Sequence, residues 1–320
     1  MENQLDDKIK NLTQAHINNK MQISAFKLID DEELPIYGIN ISKVKSFEMV
    51  ENIKITSTFN QNKFLMGIGH IRNDTVSIVN LAEWMGITHL SKNPKEYKYL
   101  ILCEFNETKI AFVCNKIIRI YSKEATELEK INEIGDDEKI TYVTKINLSD
   151  ELLQNNQKEE LCLILDVERM LFDLFPKLVE QKIKNLENLE SFKNNGKIIL
   201  IAEDSQAAIN ALEKVFEKID IKSLFFKDGN EIINWLDENK KDGKNIGIII
   251  TDLEMPIKDG YRVIDYVKKT DEYKNLPLYA HSSMSNVGAI EKTKSLGVDG
   301  FIPKFNPEIL LEIIKKHLSI

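Results

Sequence analysis

The sequence IIITDLEMP runs from Ile248 to Pro256. Its opening apolar run is too short for a typical helix, and the Asp259-Gly260 pair beyond it favours a turn. This pattern predicts a buried strand of a parallel sheet that ends at Asp252. Open α/β sheets bind ligands at the carboxyl ends of their strands, so this carboxylate is the first candidate for chemistry.

Three further strand-like runs end in polar residues. The runs KIILIA, LYAH and GFIP are followed by Glu203 and Asp204, by Ser282, and by Lys304. In one doubly wound sheet these ends and Asp252 form a rim that carries three carboxylates, a hydroxyl and an amine. Clustered carboxylates repel one another unless a cation lies among them, and hard oxygen ligands of this kind suit Mg²⁺. The lysine and the serine supply donors for the oxygens of a phosphoryl group.

This arrangement, with Met255-Pro256 after the strand, resembles the receiver domain of two-component signalling over about residues 196–320. The resemblance implies a flavodoxin-like α/β fold in which Asp252 accepts a phosphoryl group from a kinase phosphohistidine. It also implies Mg²⁺ ligation by Glu203, Asp204, Asp252 and the Glu254 backbone carbonyl, phosphoryl binding by Lys304, and switching by Ser282 and Phe301. The family's switch aromatic is often tyrosine, and Phe301 has no hydroxyl to donate.

Two neighbours of the site depart from the family pattern or stand outside it. Phe305 follows Lys304, where the family usually has a proline after a cis bond. Because a cis bond before a residue other than proline costs roughly 2.5–4 kcal/mol, we predict a trans bond between Lys304 and Phe305. His281 stands beside Ser282 and is interpreted as a packing residue.

The composition of the whole chain limits the classes of protein to which it can belong. Its 320 residues are 42% hydrophobic and 29% charged, which is typical of a globular protein of about two domains. A formal net charge of −8 gives no electrostatic support to a nucleic-acid partner. No run approaches the ~18 apolar residues of a membrane span, so we expect a cytoplasmic protein without direct membrane insertion. Cys103, Cys114 and Cys162 lack paired spacing and are interpreted as buried small hydrophobes.

Residues 23–166 show a different pattern from the receiver-like half. Short alternating apolar runs are separated by turns, which predicts an all-β domain of one or two small barrels. No glycine-rich phosphate loop is present, and His16 and His70 stand without metal or nucleophile partners. A sheet-rich domain without a polar constellation is typical of an interaction module.

The order of these runs resembles the CheW-like coupling domain of chemotaxis over about residues 20–172. The resemblance rests on YGINISKV from Tyr37, GHIRNDTVSIVNL from Gly69 and LILDV from Leu163. It implies a double β-barrel, with two five-stranded barrels, that bridges a chemoreceptor tip and a histidine kinase. Arg72 matches the arginine of the family's Arg-Gly turn and is a candidate partner contact, although a solvated turn residue is an equal alternative. Asn73 replaces the glycine and tolerates its left-handed conformation, so we expect the turn to survive.

Four segments follow from these patterns. We predict an N-terminal tail (1–19), a CheW-like coupling domain (20–175), a helix and linker (176–196) and a receiver domain (197–320). The helix is expected from Glu168 to Phe192 with a break near Pro176, and ESFKNNG before Lys197 has the turn chemistry of a linker.

A coupling-like domain followed by a receiver resembles the CheV family of chemotaxis proteins. The resemblance implies a cytoplasmic scaffold, associated with receptor arrays, that couples methyl-accepting chemoreceptors to the histidine kinase CheA. Mg²⁺-dependent phosphorylation of Asp252 would tune this coupling, in adaptation or as a phosphate sink. The protein would then be no enzyme beyond its own phosphotransfer and autodephosphorylation.

Two alternatives stay open. The first is a phosphohydrolase that forms an aspartyl phosphate, but such enzymes carry a second aspartate two residues after the nucleophile. Here that position is Glu254, and Met-Pro follows it. The second is a response regulator with an unrecognised output domain, although no basic recognition helix supports DNA binding.

Overall fold

The structure, a computed structural model, describes the chain from residue 20 to residue 319 with ten gaps. The described residues are 20–57, 62–87, 89–105, 108–130, 139–149, 157–176, 195–240, 245–255, 257–283, 287–304 and 306–319. The chain divides into two compact units, Lys20–Met170 and Leu171–Ile320. The predicted tail (1–19) and most of the predicted helix and linker (176–196) lie outside the described residues. Within the described part of the chain, no helix is long and apolar enough to cross a membrane.

The first unit consists mainly of strands, as the alternating apolar runs predict. Its strands are β1 (Lys20–Lys27), β2 (Ile36–Asn40), β3 (Val44–Met49), β4 (Ile55–Thr56), β5 (Leu65–Ile71), β6 (Asp74–Val79), β7 (Tyr99–Phe105), β8 (Thr108–Cys114), β9 (Lys116–Glu124), β10 (Glu129–Lys130), β11 (Ile140–Ser149) and β12 (Gln157–Leu165). Helix α1 (Leu81–Met85) follows β6, and helix α2 (Val167–Leu174) follows β12 and continues into the second unit.

These strands form two six-stranded sheets, ordered β10-β11-β12-β2-β1-β9 and β3-β7-β8-β6-β5-β4. Each sheet contains five longer strands and one strand of two residues, either β10 or β4. The all-β fold predicted for this half is therefore confirmed. The three cysteines are free and buried, as predicted, and burial raises the pKa of the Cys114 and Cys162 thiols to about 12.

A buried ion pair joins two distant segments of this unit. The Lys43 ammonium donates to Glu168 Oε1 over 2.9 Å, and both side chains are at most 7% exposed. Lys43 ends a short 3₁₀ helix (Ile41–Lys43), and Glu168 lies in the first turn of α2. Since the pair is almost dry, the loss of one partner would leave a poorly compensated charge in the interior.

The second unit alternates strands with helices. Its elements are β13 (Ile198–Ala202), α3 (Gln206–Lys218), β14 (Ser223–Phe226), α4 (Gly229–Glu238), β15 (Ile246–Asp252), α5 (Gly260–Lys269), β16 (Leu278–Ser282), α6 (Val287–Ser295), β17 (Gly300–Pro303) and α7 (Pro307–Leu318). Local sequence explains several helix starts. The Ser205 hydroxyl accepts a hydrogen bond from the N–H of Ala208 and caps α3, and Asn306 caps α7 with Pro307 in its first turn.

The five strands of this unit form one parallel sheet in the order β14-β13-β15-β16-β17. This is the flavodoxin-like order, so the predicted α/β fold is confirmed. Helices α3 and α7 pack on one face of the sheet, where their core includes Leu212 and Ile314. Helices α4 and α5 pack on the other face through Ile232 and Val263. The carboxyl ends of β13, β15, β16 and β17 therefore lie at the same edge of the sheet.

Candidate functional site

The alternation of side chains along the strands brings four polar residues to one face of the sheet. The core beneath α3 and α7 contains the last apolar residue that each strand directs to that face: Ile201, Ile250, Tyr279 and Ile302. Two residues further along each chain segment stand the polar side chains, namely Glu203, Asp252, His281 and Lys304. Because successive residues of a strand point to opposite faces, residues two apart share a face. The sequence-predicted acids and lysine therefore converge, and a histidine joins them.

The ammonium of Lys304 bridges two of the predicted carboxylates. Its Nζ lies 2.7 Å from Glu203 Oε1 and 2.8 Å from Asp252 Oδ2, and it donates a hydrogen bond to each. The three side chains are at most 1% exposed. Hydrogen bonds between such charged groups are short and strong, and here little water competes for them. The predicted trans bond after Lys304 involves Phe305, which lies outside the described residues.

Three carboxylates meet at this bridge. Glu203, Asp204 and Asp252 each offer an oxygen within 4.8 Å of the other two, and Asp204 is the most exposed of the three. With one ammonium against three carboxylates, the cluster keeps a net negative charge. Hard oxygen donors with an excess of negative charge fit Mg²⁺, and the accessible Asp204 leaves room for the waters that this ion retains. The described residues therefore fit the predicted cofactor.

The loop after Asp252 is held close to the acceptor. The backbone N–H of Glu254 donates to Asp252 Oδ1 over 3.2 Å, and Gly260 packs so tightly that a Cβ there would lie 2.0 Å from the Asp252 carbonyl oxygen. Ile257, in the same loop, has a φ of +67°, which is a strained conformation for a β-branched residue. The role of the Glu254 carbonyl as a metal ligand stays a prediction.

Negative charge in the site also affects its neighbour Tyr261. Burial raises the pKa of this phenol, and the carboxylates of Glu254, Asp259 and Asp252 raise it further. The ammonium of Lys292 lies 3.8 Å above the centre of the Tyr261 ring. A cation over an aromatic face is favourable, so this contact attaches α6 to the start of α5.

The two predicted switch residues occupy different positions. Ser282 ends β16, is fully buried, and its carbonyl accepts a hydrogen bond from the N–H of Lys304 over 3.0 Å. Phe301 is half-buried and packs against the other core, beneath α4 and α5. Ser282 is thus adjacent to the site, whereas Phe301 lies on the opposite face of the sheet from the bridge. Their switching roles stay predictions.

The interpretation of His281 as a packing residue was incomplete. The side chain is buried, but its Nδ1 lies 3.3 Å from Glu203 Oε2, without the alignment of a hydrogen bond. Its backbone is paired with Asp252 on one side and with Ile302 on the other. The alternation from Tyr279 to His281 is the signal in the sequence that would have placed this imidazole in the site.

In the first unit, Arg72 lies in the two-residue turn between β5 and β6. Its side chain is 67% exposed, and its Nη2 lies 3.1 Å from Glu48 Oε1. The left-handed residue of the turn is Arg72, with a φ of +55°, and not Asn73. The sequence-based expectation that Asn73 takes the glycine's conformation was therefore wrong. The turn survives because Arg72 adopts the strained conformation in its place.

Comparison with known proteins defines the class. A family model described as the CheW-like domain matches residues 25–174, and one described as the response regulator receiver domain matches residues 199–315. The solved structure of the scaffolding protein TtCheW from Thermoanaerobacter tengcongensis is 17% identical, with a TM-score of 0.36, and the match covers 46% of this chain and 89% of that chain. The two family models place a CheW-like domain before a receiver domain in this chain.

Two curated relatives resemble the chain over nearly its whole length. Chemotaxis protein CheV2 of Helicobacter pylori is 31% identical over 97% of this chain and 99% of its own. Chemotaxis protein CheV1 of the same organism is 30% identical, with 98% of each chain covered. The chain belongs to the CheV family of chemotaxis coupling proteins.

Proposed function

We propose that this protein links chemoreceptors to the histidine kinase CheA and that phosphorylation of Asp252 tunes the link. The observation that carries the proposal is the bridge of Lys304 between Asp252 and Glu203, with Asp204 beside it. A structural ion pair requires one acid, whereas this arrangement adds two more acids at a strand end, where α/β sheets bind ligands. The protein would work at receptor arrays, in adaptation or as a phosphate sink.

The chemistry is the transfer of a phosphoryl group from a phosphohistidine of the kinase. A carboxylate oxygen of Asp252 attacks the phosphorus, an O–P bond forms, the N–P bond breaks, and the imidazole of the donor leaves with the bonding electrons. Bound Mg²⁺ would neutralise part of the charge on the donor and the acceptor. Asp204 and Asp252 would hold the ion directly, with Glu203 acting through water and the Glu254 carbonyl as a further ligand.

The other residues of the chain position and neutralise the group that arrives. Lys304 already touches Asp252 Oδ2, so its ammonium can follow the negative charge onto a phosphoryl oxygen without a large movement. Ser282 then turns to donate its hydroxyl to another of these oxygens. The movement favours one of two states of the Ser282 side chain, and Phe301 responds on the other face. This sequence of events transfers one group to the protein itself and turns over no other substrate.

The receptor and the kinase are proposed to bind the CheW-like domain, with Arg72 as one contact. An exposed arginine in a left-handed conformation costs conformational energy at a turn where glycine or asparagine would fit more easily. Such an outlier at an exposed position supports a role for the side chain outside the fold. Its ion pair with Glu48 contributes little, because one partner is largely exposed.

The experiment that tests the proposal uses the full chain, phosphorylated CheA and Mg²⁺. The wild type should take up the phosphoryl group, and Asp252→Asn should not. Asp265→Asn is the matched control, since this exposed aspartate on α5 is paired only at the surface, with Lys269. Receptor and kinase fragments should be captured by the wild type and, more weakly, by Arg72→Ala. Failure to capture either fragment would exclude the linking role, and rapid turnover of small phosphate esters would favour a hydrolase.

A further inference from the structure

The imidazole of His281 occupies a place that packing alone does not explain. The side chain is 5% exposed, and its Nδ1 has no aligned hydrogen-bond partner. A buried polar atom without a hydrogen bond costs about 1–3 kcal/mol, a penalty that valine or leucine would avoid at a strand position. The nearest acidic atom is Glu203 Oε2, 3.3 Å from Nδ1. The His281 imidazole therefore contacts the acid cluster through Glu203.

The contacts of Glu203 show what the imidazole can do there. One carboxylate oxygen, Oε1, receives hydrogen bonds from Lys304 Nζ over 2.7 Å and from the Ser205 N–H over 3.2 Å. The other oxygen, Oε2, faces His281. The carboxylate thus has hydrogen-bond donors on Oε1, whereas Oε2 has the His281 imidazole beside it without an aligned hydrogen bond. A small rotation of either side chain would convert the 3.3 Å contact into a hydrogen bond.

We infer that His281 is a positioning residue for Glu203, and that through Glu203 it sets the affinity of the site for a divalent cation. This inference rests on the proposed function of the acid cluster. Once that rotation places the imidazole on the second oxygen, Glu203 keeps its first oxygen on Lys304, and the ammonium stays between Glu203 and Asp252. Without His281 the carboxylate can rotate away, and the acids lose the arrangement in which the ion finds them.

The test is the affinity of the full chain for Mg²⁺, measured by isothermal titration calorimetry without any phosphodonor. His281→Leu and His281→Phe both remove the nitrogen, and Phe keeps a flat ring, so either variant that folds carries the test. Loss of a residue that orients a metal ligand typically weakens binding about 10–100-fold, and we expect a loss of that size. His281→Asn keeps an N–H near the place of Nδ1 and should bind Mg²⁺ nearly as tightly as the wild type.

A double-mutant cycle with Glu203→Gln separates positioning from a general structural effect. If His281 acts through Glu203, His281→Leu should weaken Mg²⁺ binding no further in the Glu203→Gln background. Thermal unfolding without Mg²⁺ provides the second readout, because a purely structural histidine would alter stability and leave the ion affinity unchanged. Wild-type affinity in the folded Leu or Phe variant would overturn the role of His281, as would an undiminished loss in the Glu203→Gln background. Absence of Mg²⁺ binding in the wild type would overturn the proposed function as well.

Discussion

Replacing Asp252 by asparagine should stabilise the receiver domain in the absence of Mg²⁺ and abolish most of its stabilisation by Mg²⁺. The aspartate is 1% exposed and is one of three clustered carboxylates, and the Lys304 ammonium bonds to this one and to Glu203. Asparagine has nearly the same shape, and its one amide oxygen can accept from Lys304 or from the Glu254 N–H, but not from both. After the substitution Lys304 keeps its bond to Glu203, so no buried charge is left without compensation.

The distances give the sign and the size of the effect. Asp252 has an oxygen within 4.8 Å of an oxygen of Glu203 and of Asp204, and each repulsion is worth at least about 3.5 kcal/mol at an effective dielectric constant of about 20. The attraction to Lys304 at 2.8 Å is worth about 6 kcal/mol on the same scale. The two repulsions together exceed the one attraction, and asparagine also avoids the burial of a charge. We therefore expect Asp252→Asn to raise the free energy of unfolding of the receiver domain by about 1–2 kcal/mol without the ion.

Saturating Mg²⁺ should make the wild type more stable than Asp252→Asn. A ligand at a hundred times its dissociation constant stabilises the folded state by about 2.7 kcal/mol, and the wild type should gain this amount. Asp252→Asn removes one of the two acids proposed to hold the ion directly and should gain much less. The rank of the two proteins therefore changes between EDTA and saturating Mg²⁺.

The assay is urea unfolding followed by tryptophan fluorescence. The chain has two tryptophans, Trp84 in the CheW-like domain and Trp235 on α4 of the receiver domain, so a Trp84→Phe background reports the receiver alone. Asp265→Asn is again the control, and it should change stability little in either condition. A destabilised Asp252→Asn in EDTA, or an equal gain with Mg²⁺, would refute the electrostatic reasoning.

Three further predictions concern stability elsewhere. Lys43→Met should lower the free energy of unfolding of the CheW-like domain by about 3–5 kcal/mol, measured by urea unfolding. The double variant Lys43→Met/Glu168→Gln should recover most of this stability, because the buried side chain at position 168 is then neutral. An equal loss of stability in the single and the double variant would contradict this. Ile257→Asn should stabilise the receiver by about 1 kcal/mol, since asparagine tolerates the left-handed conformation. A loss of stability would show that the packing of the isoleucine side chain contributes more than the backbone strain costs. Burial lowers the pKa of His317 below its ordinary 6.5, so the unfolded chain takes up the proton first and stability is lost as the pH falls below about 6.5. His317→Gln should reduce that loss, and an unchanged pH profile of the unfolding midpoint would count against it.

Local signals and strand ends made much of the receiver domain predictable from the sequence. A serine before α3 and an Asn-Pro pair before α7 act through hydrogen bonds within one turn, so their effect does not depend on the rest of the fold. The convergence of Glu203, Asp252 and Lys304 was predictable for a different reason. Parallel strands with helical crossovers all end at the same edge, so the residues after each strand must meet.

What could not be predicted depends on geometry finer than the order of elements. The alternation along β16 puts His281 on the face of Tyr279, but its distance from Glu203 depends on the register between β16 and its neighbours, which the sequence does not display. The error at Asn73 has a similar origin. Which residue of a two-residue turn takes a positive φ depends on how the strands twist into the turn, and here Arg72 does so.

Phosphotransfer to the intact chain tests whether Asp252 is the phosphoryl acceptor. Phosphorylated CheA is mixed with wild type, Asp252→Asn and Lys304→Met, with Mg²⁺ or with EDTA, and the phosphoryl group on each protein is followed over time. We expect a Mg²⁺-dependent, acid-stable and base-labile acyl phosphate on the wild type, none on Asp252→Asn, and a much slower transfer to Lys304→Met, which lacks the ammonium. Equal labelling of Asp252→Asn and wild type, or labelling of the wild type that is indifferent to EDTA, would contradict it.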